Sequence, residues 1–263
     1  MTADRQADYR RALESTYGSV LTRALPGPVH ACATCRGAAG NDYKFCPACN
    51  GRYGQGKTPR LGFCLYAVKG AQLYRSLFAY KESGEARYVQ DARQLIRGVL
   101  YFAFADHYRC LEAQEGSVDA WCIVPSLRST VNTKSVDHAL SRIASSVIGD
   151  RLPELNLWTT PGEGKRVYQP ERLHLVHTPD ADRARHVLLI EDTWVTGSNA
   201  RSAAEALFRE GIEKVSILTI ARLVDSGYAP AQPLVDRIRD LANTPDSMWA
   251  CPWTRSGNCP TIR

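Results

Sequence analysis

His186-Val-Leu-Leu-Ile-Glu-Asp-Thr-Trp-Val-Thr-Gly-Ser-Asn-Ala200 decides how this chain is read. The apolar run His186–Ile190 reads as a buried strand, and it ends directly in two acids, Glu191 and Asp192. A turn containing Thr196-Gly197-Ser198 follows, and a helix opens near Asn199. Free N–H groups at a helix start, with the Thr196 and Ser198 hydroxyls, suit a phosphate. Gly197 lets the backbone approach that phosphate closely. The two carboxylates can accept hydrogen bonds from a vicinal diol, so a sugar phosphate fits both ends of the segment. A plain buried strand with a polar turn and an Asn or Ser cap is the alternative.

The flanking sequence places this segment in an α/β domain. Residues 61–68 read as a strand, followed by helices over 71–81 and 86–110. In the second helix Val89, Leu95, Ile96, Val99, Phe102 and Ala103 recur at helical spacing. Trp121–Val124 is a short buried strand stopped by Pro125, and 134–148 a helix with Val136, Leu140, Ile143 and Val147 on one face. Leu155–Thr159 is a candidate strand, 160–172 a Gly- and charge-rich loop, 199–210 a helix and Lys214–Ala221 a strand. Strands alternating with helices predict a parallel sheet covered on both faces, with a site at the strands' C-terminal ends.

Upstream, Cys32-x2-Cys35 is followed after ten residues by Cys46-x2-Cys49. Two such pairs joined by a short polar loop suit a tetrahedral metal, zinc above all. With all four positions filled by thiols and none left open, a structural ion is expected. A lobe of some 25 residues is too small to be stabilised by burial alone. Residues 4–24 read as a helix, stopped by Pro26-Gly27-Pro28, and Gly54–Pro59 as a linker out of the lobe. The domain division is therefore 1–28 for the helix, 29–56 for the lobe, 57–225 for the α/β domain and 226–263 for a C-terminal extension. Within the last, Cys251 and Cys259 read as half of a second metal site, an oxidisable pair or two ordinary thiols, and with no second half visible beside them two ordinary thiols are expected.

The chain has 263 residues, 44% of them hydrophobic and 23% charged, an ordinary globular composition. Its longest apolar stretch, Val99–Ala105, is far shorter than the ~20 residues of a membrane span. The polar start Met1–Arg5 carries no apolar signal core, and the expectation is a cytoplasmic protein with its cysteines reduced. The net charge is +6, concentrated in residues 1–60, which hold nine Lys/Arg against four Asp/Glu. A basic N-terminal lobe makes nucleic acid a candidate partner; a solvated basic surface is the alternative.

The strand, acid pair and Thr-Gly turn resemble the signature of type I phosphoribosyltransferases. In that family the acids hold the ribose hydroxyls of 5-phosphoribosyl-1-pyrophosphate (PRPP), and the turn binds the 5-phosphate. The resemblance implies ribose binding by Glu191 and Asp192, and a phosphate turn made of Thr193, Val195, Thr196, Gly197, Ser198 and Asn199. Val195 and Asn199 depart from the hydroxyl residues usual there. A four-cysteine lobe ahead of such a domain is similar to the layout of the ComF family, associated with DNA uptake. Leu77-Phe-Ala-Tyr-Lys81, Ile123-Val-Pro-Ser-Leu127, Gln169-Pro-Glu-Arg172 and Ile220-Ala-Arg-Leu223 fit that layout, over roughly residues 30–225. The family's Arg-Gly-Phe-Asn stretch is replaced by Arg128-Ser-Thr-Val-Asn132.

The fold so implied is a parallel-sheet type I phosphoribosyltransferase-like domain with a small N-terminal zinc-ribbon-like lobe. Pro125, Ser126, Leu127 and Arg128 would form the pyrophosphate loop. Lys165, Arg166 or Arg172 would reach the leaving pyrophosphate from a lid, or remain solvated loop cations. Mg2+ would accompany PRPP, and phosphoribosyl would pass to an acceptor that the sequence does not name. Trp194 would stack on a base or cover the turn. The competing reading is a non-catalytic protein that binds nucleotide or nucleic acid. A third is an assembly component, an oligomer with the lobe as its interface.

Overall fold

The computed structural model describes residues 3–18, 21–24, 30–40, 43–50, 57–82, 84, 86–127, 133–162, 167–242 and 250–260. The chain begins with helix α1 (Ala3–Tyr17) and a short strand β1 (Thr22–Arg23). Strand β2 (Arg60–Val68) leads to α2 (Gln72–Ala79) and the long α3 (Arg87–Glu115). Then come β3 (Ala120–Ile123), β4 (Thr133–Lys134), α4 (Ala139–Ile148), β5 (Leu157–Thr159) and β6 (Leu173–Leu175). Helix α5 (Pro179–Arg183), strand β7 (His186–Trp194), α6 (Ser198–Arg209), β8 (Lys214–Val224) and α7 (Gln232–Ala242) complete the order.

The central sheet runs β1-β2-β8-β7-β3. Four of its strands are parallel, and only β1 at the edge is antiparallel. Parallel strands are covered on both faces, which explains the near-continuous apolar runs of β7 and β8. In β7 the side chains alternate: Leu188 and Ile190 enter one core, Val187 and Leu189 the other. The first core lies among α1, α2, α3 and α4. The second lies against the four-cysteine lobe, α6 and α7. A second sheet, β4-β5-β6, is antiparallel, and its Leu157, Leu173 and Leu175 join the second core.

Several boundaries differ from the sequence expectation for physical reasons. The first helix ends at Tyr17 rather than near residue 24, because Thr22 and Arg23 pair with Tyr66 and Leu65 as an edge strand. The helix expected from residue 134 starts at Ala139. Ser135 is drawn instead toward β5, where its hydroxyl accepts from Leu157 N and donates to Asn156 Oδ1. Strand β6 begins just past the expected loop 160–172, in a stretch the sequence assigns to no element, since three residues are too few to show alternation. Strand β7 runs four residues past Ile190, so the acid pair lies inside the strand, with Glu191 beside Thr219 of β8.

The C-terminal residues are integral to both cores. Leu234, Val235 and Ile238 of α7 enter the second, Cys251 and Trp253 the first. Trp253 lies against β2 at Gly62, where an added Cβ would stand 2.6 Å from two ring carbons. A fixed indole ring cannot yield to that overlap. We predict that Gly62→Ala lowers stability by roughly 1–3 kcal/mol in urea unfolding. An unchanged midpoint would contradict the packing of Trp253 on β2.

Candidate functional site

The C-terminal ends of β3 and β7, the N-terminus of α6 and the end of α2 enclose a cleft of about 410 Å3. Its lining includes Pro125 and Ser126 after β3 and the whole run Glu191–Asn199. The structure therefore brings together the acid pair, the turn and the start of the loop after β3. Leu127 is buried just behind, with its carbonyl accepting from Arg172 Nη1 at 3.1 Å. Arg128, Lys165 and Arg166 lie outside the described residues. Arg172 is not a solvated lid cation. It is buried, and it donates to the carbonyls of Leu127 and Thr160 and to Gln169 Oε1. Its place is to brace the loop after β3 from behind.

The two adjacent carboxyls are pushed in opposite directions. Burial alone would push the Asp192 carboxyl up, but the Lys81 ammonium and then the Tyr80 hydroxyl outweigh it and hold it below its ordinary range. Tyr80 donates to Asp192 Oδ2 at 2.6 Å, and Lys81 forms an ion pair with the same oxygen. Glu191 has no such partner. Its Oε2 is closed off from solvent without a hydrogen bond, and burial followed by the Asp192 charge raises its carboxyl well above the usual range. One ionised and one protonated carboxyl side by side can accept one diol hydrogen bond and donate another.

Lys81 and Tyr80 come from the end of α2, and neither type announces itself as a carboxylate partner in sequence. In sequence both stand only within the Leu77–Lys81 stretch that fits the ComF layout. His138 also faces the cleft. Its Nδ1 accepts from Leu140 N at 3.1 Å as the cap of α4, which puts the ring proton on Nε2. Burial lowers this histidine below its ordinary 6.5, so the ring is neutral at pH 7.

The turn is built for close approach. Gly197 stands at φ 77° as the cap of α6, and a Cβ there would lie 2.0 Å from Trp194 Cζ2. Trp194 is 1% exposed and meets Phe63 edge-on at 5.3 Å. Of its two candidate roles, covering the turn is the one its burial leaves. Thr196 and Ser198 hydroxyls lie 3.0 Å apart, and Ser198 N points at Thr196 Oγ1. Arg201, buried within α6, donates to the carbonyls of Thr196, at 2.9 Å, and Gly197. Thr196, Gly197 and Ser198 thus line the cleft, while the carbonyls of Thr196 and Gly197 are drawn to Arg201.

Behind the turn lies the four-cysteine lobe. Cys32, Cys35, Cys46 and Cys49 are all buried, and their sulfurs lie within 4.8 Å of one another. Cys35 Sγ and Cys46 Sγ are 3.6 Å apart, near the edge length of a four-sulfur tetrahedron around an ion such as zinc. This group could hold such a metal. Hydrogen bonding from Cys32, then from Cys46 and Cys49, lowers the Cys35 thiol well below its usual range, and Arg222 acts in the same direction. Arg222 of β8 donates from Nε to Cys35 O at 2.9 Å and from Nη1 to Trp194 O at 2.9 Å, with Nη2 3.5 Å from Cys35 Sγ. Arg201 reaches the lobe too, at Ala48 O.

Part of the basic charge of residues 1–60 is not on the surface. Arg36 is buried and Arg10 pairs with the half-buried Asp106, while Arg11 pairs with Asp8 at the surface. No described helix is long and apolar enough to cross a membrane. Cys251 and Cys259, read as ordinary thiols, prove to be neighbours of His107 and Cys110 on α3. That juxtaposition needs the tertiary fold and leaves no mark in local spacing.

The raised Glu191 sets a pH prediction. A carboxyl raised on folding favours the fold while protonated, and that contribution is lost as pH rises toward its folded value. Glu191→Gln should match wild-type thermal stability well below the ordinary 4.5 and exceed it as pH rises above that value. Equal melting temperatures at pH 4 and pH 8 would place Glu191 in the ionised state instead. Compared with known proteins, the chain matches no family model, no curated protein and no solved structure significantly.

Proposed function

We propose that the cleft binds PRPP, or a closely related ribose phosphate, together with Mg2+, and that it transfers the phosphoribosyl group. The observation that carries this reading is the facing of an acid pair and a glycine turn across one cleft. Asp192 and Glu191 supply an acceptor and a donor for a ribose diol, and Thr196, Gly197 and Ser198 supply hydroxyls and amides for a 5-phosphate. A cleft of about 410 Å3 accommodates a ligand of that size. The loop at Pro125 and Ser126, stiffened by Arg172, lies where the pyrophosphate of a ligand so oriented would point.

In this reading Mg2+ arrives with the pyrophosphate oxygens, since the cleft holds too few carboxylates for an all-protein cage. The protein's part is positioning. The acid pair holds the ribose by its diol, and the turn holds the opposite end. The bond from C1 to the pyrophosphate oxygen breaks with its electron pair leaving on pyrophosphate, and an acceptor lone pair adds to C1. The helix-start amides and the loop after β3 stabilise the anionic ends. The four-cysteine lobe is a structural zinc site in the same reading, and the resemblance to the ComF layout supports that assignment.

A non-catalytic binding role is favoured by one feature. The Asp192 Oδ2 already accepts from Tyr80 and Lys81, which is a resting state that a ligand must rearrange. Nucleic acid as a partner has less support, given how much of the basic charge is buried or paired.

The test is calorimetric titration with PRPP and Mg2+ of the wild-type protein beside Asp192→Ala and Ser198→Ala. Loss of a charge-assisted hydrogen bond should weaken binding about tenfold or more in Asp192→Ala, and Ser198→Ala should weaken it less. No wild-type binding, or equal binding in Asp192→Ala, would refute the assignment. Turnover with bound PRPP present would then separate enzyme from sensor.

A further inference from the structure

The C-terminal cysteines carry a second inference, independent of what the cleft binds. Helix α3 presents His107 and Cys110 three residues apart, hence on one face. The segment after α7 returns to that face and brings Cys251 and Cys259 against it. One ligand atom from each of the four, an imidazole nitrogen and three sulfurs, lies within 4.8 Å of the other three. Cys259 Sγ stands 3.4 Å from His107 Nδ1. Cys110 and Cys251 are buried, while Cys259 is exposed at the edge.

The segment between the two C-terminal cysteines folds back on itself as a knuckle. Cys251 N donates to Gly257 O at 2.7 Å, and Gly257 takes a left-handed φ of 77°. Thr254 Oγ1 donates to Asn258 O at 2.8 Å, and Asn258 N to Ser256 Oγ at 3.2 Å. These bonds hold Cys259 back over Cys251. Trp253 anchors the start of the segment in the first core, but residues 254–260 have few apolar side chains to bury, so a cross-link to α3 is what would keep Cys259 closed on it.

We propose that His107, Cys110, Cys251 and Cys259 form a second zinc site, a three-thiolate, one-imidazole centre that fastens the C-terminal knuckle to α3. Three thiolates and a neutral imidazole are a common donor set for structural zinc, and all four positions are filled by protein. A disulfide would use two of the three sulfurs and leave an odd thiol beside an imidazole. The arrangement of four ligand atoms around one point suits an ion better.

The consequence reaches the first lobe. The knuckle carries Pro252, Trp253 and Thr254. Arg36, next to Cys35, donates to Pro252 O at 2.9 Å and to Thr254 O at 3.1 Å. Trp253 lies on Gly62 of β2. A metal at the second site therefore holds in place the carbonyls that receive the buried Arg36, and the two metal sites grip the sheet from its two faces.

The experiment is metal analysis of the full-length protein, purified under reducing conditions with zinc, by elemental and native mass measurement. Two zinc ions per chain are expected, falling to one in Cys259→Ala. Alkylation mapped by peptide should show Cys110, Cys251 and Cys259 protected by zinc in the wild type, and Cys259 reactive once metal is removed. One zinc per chain in the wild type with excess zinc present would overturn the proposal. So would a disulfide among the three sulfurs in freshly isolated protein, or free alkylation of Cys259 with zinc bound. The wild-type stoichiometry and protection decide the matter even where a variant folds poorly.

Discussion

The buried Arg222 guanidinium joins the parts of this protein that sequence presents as separate. It sits at the end of β8, donates to the Cys35 and Trp194 carbonyls and lies against the Cys35 sulfur. A buried cation is costly unless it is paired, and here its pairing depends on the lobe being seated. A zinc ion with four thiolates carries a net charge of −2, which a neighbouring guanidinium offsets. Gly37 is the steric condition for this contact, because a Cβ there would stand 1.7 Å from Arg222 Nη2. Arg36 does the same on the other side, spending its donors on Ala24, Phe63, Pro252 and Thr254 carbonyls. The lobe is thus fastened to the sheet by two arginines as well as by its packing in the second core.

The same bonds shape the cleft. Holding the Trp194 carbonyl fixes the indole ring beneath Gly197, and that fixes the start of α6. Arg201 ties the next carbonyls inward and touches the lobe at Ala48. On the cleft's other wall, Lys81 and Tyr80 hold the Asp192 carboxyl below its ordinary range, while burial and the Asp192 charge push Glu191 above it. An anion-receptive turn thus faces an acid pair whose charge Lys81 offsets. That is a favourable balance for a ligand with phosphate at one end and hydroxyls at the other.

What could be read from sequence was what local spacing encodes. The Cys32–Cys49 pairs lie close in the chain, and the apolar run of β7 with the turn after it forms one continuous segment. The parallel sheet followed from the alternation of such runs with helices. The interactions that position the site come from distant segments. Arg36 counted toward a basic N-terminal lobe and Arg222 only as part of the Ile220–Leu223 stretch, yet both are buried and bonded. Arg172 counted toward a mobile lid, yet it braces a loop. His107 and Cys110 looked like two residues of a helix face until the fold brought Cys251 and Cys259 to them. Charge on a long side chain has no preferred address in sequence, and only the carbonyls and sulfurs around it decide whether it is solvent-facing or internal.

The account rests on the lobe bracing the turn, and hydrogen exchange tests that link directly. Amide exchange would be followed by peptide in the wild-type protein before and after removal of metal from the four-cysteine lobe. The prediction is that residues 194–201 lose protection together with residues 32–49, while the α3 residues 92–104 keep theirs. Loss of protection in the lobe with the turn unchanged would contradict the account, because the cleft would then stand without its brace.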